Sequence, residues 1–172
     1  MAADIGKVFE RELARVFKLL KADRLVGWHR LVDTGTSGGM VAEQPSDYLL
    51  ALPPGCQNLL NGQRMMFVEA KASEKSSTLP KANVKSPQRA AIAHYRHILK
   101  LPYYILFWDT QSGCIELWDG AAITEAARLD KSCRLAVWPD CGVINKLRTE
   151  HVAACIVSYF VIPLGGDTLS LT

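Results

Sequence analysis

QPSDYLLAL (residues 44–52) and MMFVEAKAS (residues 65–73) are two short apolar runs joined by PPGCQNLLNGQR (residues 53–64). The Pro, Gly and Asn content of the joining stretch marks a turn, so the runs read as antiparallel strands of one hairpin. Side chains alternate faces along a strand. Glu69 and Lys71 therefore project from one side of the sheet, while Val68 and Ala70 face the other. Asp47 opens the first run and can approach Glu69 and Lys71 once the hairpin closes. Two carboxylates and an amine on one sheet edge suit a hard divalent cation and an activated water. Glu-x-Lys alone is also common on the solvated face of a hairpin, so its surroundings carry the weight.

Upstream, apolar residues recur at Phe9, Leu13, Val16, Phe17 and Leu20, one stripe of a helix over residues 5–20. Asp4 is its N-cap, and Lys18 and Lys21 suit the negative end of the helix dipole. Glu10 and Glu12 flank the stripe about equally, each about 80° from its centre, so periodicity does not choose between them. VGWHRLV (26–32) reads as a first strand. DTGTSGGM (33–40) is a Gly- and hydroxyl-rich loop without the Gly-Lys-Ser/Thr ending of a phosphate-binding P-loop.

Downstream, ASEKSSTLPKANVK (72–85) is polar and aperiodic, and is expected to be a mobile segment. SPQRAAIAHYRHILK (86–100) restarts a helix, with Ser86 as N-cap and Pro87 at the first helical position. Its apolar face holds Ile92, Tyr95 and Leu99, with Gln88 in line at the N-terminus, where a side chain can reach a water or a phosphate. LPYYILFWDT (101–110) and CIELWDG (114–120) form a hairpin around Gln111, Ser112 and Gly113. AAITEAARL is a short helix and CRLAVW a further strand. EHVAACIVSYFVI (150–162) has the period and length of a buried helix and the β-branched content of a strand; helix is the reading taken. The order αβββαββα(β)α predicts an α/β fold, a mixed sheet flanked by helices.

A chain of 172 residues is expected to form one domain, and 49% apolar with 22% charged residues is an ordinary globular composition. The longest apolar run, VAACIVSYFVIPL, is interrupted by Pro163 and too short to span a bilayer, and the charged N-terminus lacks the apolar core of a signal peptide. Five scattered cysteines without a CxxC pair point to reduced thiols in an intracellular setting, and exclude a zinc signature. His94 and His97 read as helix-surface residues. The net charge of +3 is small, but Lys71, Lys75, Lys81, Lys85 and Arg89 cluster with Glu74 as the one acid among them. A basic stripe beside a carboxylate cluster suits an enzyme acting on a phosphate backbone.

These residues resemble the PD-(D/E)XK nuclease superfamily, with its restriction-endonuclease-like sheet, and within it the Hjc- and RecU-type Holliday-junction resolvases. GKVFERELARVF looks like the family's Gly-x-x-x-Glu helix and places Glu10, not Glu12, at its acidic position. DTGTSGG looks like the mobile Ser/Gly loop, Asp47 with Glu69-Ala70-Lys71 matches the acidic core, and Gln88 stands where RecU-type enzymes carry a glutamine. The likeness spans about residues 6–95, and the catalytic core it implies about 6–110. One departure stands out: the family's proline directly precedes the aspartate, whereas here Ser46 separates Pro45 from Asp47.

The resemblance implies a metal-dependent endodeoxyribonuclease that resolves four-way DNA junctions. Asp47 and Glu69 would bind Mg²⁺ or Mn²⁺, with the Ala70 carbonyl as a third oxygen and Glu10 completing the shell directly or through water. Lys71 would activate the attacking water or balance phosphate charge, and Gln88 would position the water. Ser37, Lys75, Lys81, Lys85 and Arg89 would meet DNA. A homodimer is implied because two symmetric nicks need two sites, and a small stand-alone resolvase would suit a compact phage genome. The rival readings are a restriction- or repair-type endonuclease on duplex or flap DNA, and a non-catalytic nucleic-acid-binding module of the same fold.

Overall fold

The computed structural model describes residues 4–31, 45–54, 62–126, 129–144 and 146–161. Its first element, helix α1 (Ile5–Ala22), follows from the apolar stripe: Phe9, Leu13, Val16, Phe17 and Leu20 are all fully buried. Asp4 caps it, its carboxylate accepting from the Gly6 and Lys7 amides at 3.1 and 3.5 Å. Removing one of these core side chains, as in Leu13→Ala, would cost about 2–5 kcal/mol.

The sheet has six strands in sequence order: β1 (Gly27–Arg30), β2 (Tyr48–Ala51), β3 (Met65–Ser73), β4 (Tyr103–Asp109), β5 (Cys114–Asp119) and β6 (Arg134–Trp138). Every neighbouring pair is antiparallel except β3 and β4, which run parallel. A parallel pair needs a long crossover. It is supplied by the stretch containing α2 (Ser86–Ile92), which continues as a π-helical turn over Ala93–Ile98. After β5 come α3 (Gly120–Glu125) and, beyond β6, α4 (Thr149–Ile156), extended by a second π-helical turn over Val157–Val161. The α/β class, the mixed sheet and the order of elements are those expected from the sequence, and the 150–162 stretch is helical where described.

Strand β4 shows how the layers are built. All seven of its residues are buried, as in a strand covered on both faces. Tyr104, Leu106 and Trp108 join the core beneath α1 and α4, whereas Tyr103, Ile105 and Phe107 join a second core with Leu79, Val84, Ile92 and Ile123. Period-2 alternation on a doubly covered sheet thus yields two cores from one strand.

Several expectations need correction. Lys85, not Ser86, is the N-cap of α2; Ser86 and Pro87 occupy its first turn, and the Lys85 amide donates to Gln88 Oε1 at 3.1 Å. The 72–85 stretch is anchored rather than loose, because Leu79 and Val84 are buried. The anchor is Glu116, a fully buried carboxylate on β5. It accepts from Thr78 Oγ1 at 3.1 Å, from the Leu79 amide at 3.4 Å and from Trp118 Nε1 at 3.1 Å, and pairs with Arg134. Leu99 is 47% exposed, not part of the apolar face. The π-helical turn, with the Leu99 amide bonded to the His94 carbonyl, breaks the 3.6-residue spacing on which that expectation rested. His97 is no simple surface residue either: it is half-buried and bridges to Thr124 at 2.6 Å and Glu125 at 3.2 Å on α3.

Candidate active site

The β2–β3 register pairs Tyr48 with Val68, so Asp47, one step before β2, lies across from Glu69 on the same face. The ladder bonds on this side fall at even-numbered β3 residues, as the Leu52 amide to Arg64 carbonyl bond of 2.8 Å shows. Asp47 and Glu69 therefore face each other as a non-hydrogen-bonded pair, where side chains approach most closely. Past the end of β2 the Ala70 amide has no ladder partner, and Asp47 Oδ2 accepts it at 2.7 Å.

Glu69 is 4% exposed. Its Oε1 accepts from Lys71 Nζ at 2.6 Å and from Gln88 Nε2 at 2.5 Å. Gln88 is thus spanned between two tasks, its oxygen capping α2 and its nitrogen holding Glu69. Burial lifts the Glu69 carboxyl above the usual range, and the neighbouring Lys71 ammonium opposes the lift. Asp47 is pushed up to about 7, first by burial and then by the Glu69 charge, with the Ala70 amide working the other way.

Glu10 reaches the same place from α1. Its charge raises both Asp47 and Glu69, and its Oε2 accepts from Arg30 at 2.7 Å. Glu12, equivalent by periodicity, is instead held on its own helix by Arg15 at 3.0 Å and is buried. The structure therefore brings Glu10, Asp47, Glu69, Lys71 and Gln88 together. Among the described residues, however, no three acidic, His or Cys side chains close on one point. Each carboxylate already has an internal donor: Arg30 for Glu10, the Ala70 amide for Asp47, Lys71 and Gln88 for Glu69.

Three participants escaped the sequence reading. Arg30, at the end of β1, is paired with Tyr48 in the sheet and supplies the counter-charge to Glu10. Tyr48 donates its hydroxyl to the Glu10 backbone carbonyl and so ties α1 to β2. Tyr103 donates to the Pro45 carbonyl at 2.6 Å, and burial together with the Glu69 and Asp47 charges holds its hydroxyl strongly protonated. The extra residue, Ser46, is buried and donates its hydroxyl to the Tyr48 carbonyl at 2.9 Å. Two hydroxyls thus fix the backbone just before Asp47. Only the strand pairing of β1 with β2, visible in the fold, could have pointed to Arg30.

The residues expected to meet DNA are spread out. Lys85 is exposed and leads into α2; Lys75 is exposed beyond the end of β3, beside Thr110 and Val143. Lys81 donates to the Ala126 carbonyl at 2.5 Å and Arg89 to the Val84 carbonyl at 2.6 Å, so both have local partners. Ser37 and the 33–40 loop lie outside the described residues.

No known family model matches the chain, and no curated protein matches it. Among solved structures it is similar to the Holliday junction resolvase Hjc of the archaeal hyperthermophile Archaeoglobus fulgidus. The identity is 16% and the TM-score 0.47, over 74% of this chain and 90% of that one. At that level the likeness assigns neither residues nor activity to this chain.

Proposed function

We propose that the chain is a single-domain, metal-dependent DNA endonuclease of the PD-(D/E)XK type that cuts four-way junctions as a homodimer. The observation that carries the reading is the juxtaposition of Asp47, Glu69 and Lys71 on one face of β2 and β3, with Glu10 and Gln88 delivered from two helices. Three carboxylates share this neighbourhood with two cations, Lys71 and Arg30. Asp47 is raised first by burial and then by the Glu69 charge, and the three carboxylates offer an all-oxygen donor set of the kind that fits Mg²⁺ or Mn²⁺. Asp47 and Glu69 would hold the ion, Glu10 would complete the shell, and the Ala70 carbonyl leaves the strand on the same side as its amide, toward Asp47. When bound, such an ion supplies Lewis acidity at the phosphate and makes water a better nucleophile.

The chain's own groups do the rest. Lys71, anchored by Glu69, would stabilise charge developing on the scissile phosphate and would take part in moving the proton of the attacking water. Gln88 keeps Glu69 oriented and would help orient that water. Tyr103 and Ser46 hold the Asp47 backbone in place. Lys75 and Lys85 would meet backbone phosphates outside the site, with Lys81, Arg89 and Ser37 adding to that surface; such contacts position DNA without reading its sequence. An intracellular location, with a compact phage genome as a fitting source, goes with this reading.

The test is a panel of labelled four-way junction, flap, duplex and single-stranded DNA incubated with Mg²⁺. Paired symmetric nicks in the junction, with little cutting of duplex, support a resolvase. Preferential cutting of duplex or flap would make the chain a restriction- or repair-type nuclease. Binding without cutting in either Mg²⁺ or Mn²⁺ would leave a non-catalytic module.

A further inference from the structure

We propose that the exposed face of α1 is a docking surface for the phosphate backbone of a duplex DNA arm. The proposal rests on the nuclease reading, which supplies the polyanion. The exposed residues of α1 are Lys7, Arg11, Arg15, Lys18, Lys21 and Ala22. All but the alanine are basic, and none is acidic. At 100° per residue the cations share one side of the helix. Measured from Glu10, Lys21, Lys7, Lys18, Arg11 and Arg15 lie at about 20°, 60°, 80°, 100° and 140°. The row therefore passes beside Glu10, the residue α1 delivers to the active site, and extends about 21 Å along the axis from Lys7 to Lys21.

The row does not serve the helix. Lys7 with Arg11 and Arg11 with Arg15 are like charges at i, i+4, and Arg15 with Lys18 and Lys18 with Lys21 repeat the conflict at i, i+3. Lys7 stands in the first turn, which holds no acid, so it opposes the helix dipole; Lys21, in the last turn, suits it. The acid that touches the row is Glu12, buried at its foot, which pairs with Arg15 at 3.0 Å and with Arg11 at 3.6 Å. Lys7, Lys18 and Lys21 pair with no carboxylate among the described residues. A long row of cations on a rigid element is a surface built for an external anion.

The occupant the row fits is itself long and rigid. B-DNA carries one phosphate charge per 1.7 Å of axis, so about twelve phosphates lie along 21 Å of duplex, enough for every cation to meet one. A bilayer fits less well. The apolar stripe of α1, with Phe9, Leu13 and Phe17, is fully buried in the core, leaving no apolar face to enter lipid. Contacts of this kind hold the backbone and read no sequence. A duplex arm lying on α1 would lead past Glu10 to the carboxylates of β2 and β3.

The experiment measures binding of a labelled four-way junction, and of one isolated duplex arm, in EDTA at several salt concentrations. Lys7→Ala with Lys18→Ala and Lys21→Ala should lower the magnitude of the log–log salt slope by about 2.7 on both DNAs, about 0.9 for each lost contact. Each single substitution should remove about a third of that. A control, Lys100→Ala with Lys131→Ala and Lys146→Ala, removes the same net charge from other exposed positions and should change the slope by less than one contact. Vesicles of phosphatidylserine and phosphatidylcholine should not retain the wild type at physiological salt. An unchanged slope in the α1 variant overturns the proposal, as does equal flattening in the control. Vesicle binding that is lost in the α1 variant while its DNA slope is unchanged would assign the row to a membrane instead. A wild type that binds no DNA overturns both this proposal and the nuclease reading. The expected slopes without cutting in Mg²⁺ or Mn²⁺ would uphold the docking surface and remove only the nuclease reading.

Discussion

Replacing Asp47 by Asn should abolish cleavage and, without divalent metal, make the protein more stable at alkaline pH. Burial and the Glu69 charge raise the Asp47 carboxyl from 3.8 to about 7. Between those values the folded chain binds a proton that the unfolded chain does not, so stability falls as pH rises and levels off above 7. At 1.36 kcal/mol per pH unit, holding Asp47 ionised at pH 8 costs roughly 4 kcal/mol. Asn keeps an oxygen to accept the Ala70 amide, now bonded at 2.7 Å, and the extra strength the charge gives that bond is already contained in the Asp47 shift. The gain of about 4 kcal/mol corresponds to a melting point roughly 8–16 °C higher for a chain of this size. Thermal unfolding in EDTA at pH 8 reads this directly. Added Mg²⁺ should raise the melting point of the wild type in proportion to ligand occupancy and leave Asp47→Asn nearly unmoved. A variant less stable than wild type in EDTA at pH 8 would refute the reasoning, since the Asp47 charge would then be serving the fold.

Glu69→Gln should stop cleavage while junction binding, measured by gel shift, stays close to wild type; retained turnover would remove Glu69 from the site. Lys71→Ala should lower single-turnover cleavage by about 10²–10⁴-fold, and a loss confined to affinity would make Lys71 a phosphate anchor only. Glu10→Gln should impair cleavage strongly and Glu12→Gln hardly at all, because only Glu10 acts electrostatically on Asp47 and Glu69; equal effects would contradict that choice. Lys75→Ala with Lys85→Ala should reduce the log–log salt slope of junction binding by up to about 0.9 for each phosphate no longer neutralised. An unchanged slope would move the DNA surface elsewhere, with Lys7, Arg11 and Arg15 on α1 the next candidates.

The hairpin and its polar residues were legible because two local signals agreed, a short apolar run on each side and turn residues between them. Helix α1 was legible for the same reason, through its stripe and its Asp4 cap. The tie between Glu10 and Glu12 was not resolvable by period, since both flank the stripe; the partner that separates them, Arg30, is twenty positions away and arrives through β1–β2 pairing. Glu116 was invisible in a different way. A carboxylate in an apolar strand reads as solvent-facing until the fold places Thr78, Trp118 and Arg134 around it. Because that hub anchors the 72–85 stretch, two isolated apolar residues, Leu79 and Val84, become core without any period to announce them. The π-helical turns likewise leave no repeat in the sequence, and Leu99 was misplaced on their account.

The most direct test of the central claim is cleavage of a labelled four-way junction by the purified protein in Mg²⁺, run beside the same reaction in EDTA and beside Asp47→Asn in Mg²⁺. The account predicts paired nicks in the first reaction and intact, bound junction in the other two. Equal cutting in all three would contradict it, as would no cutting by the wild type in Mg²⁺ or Mn²⁺.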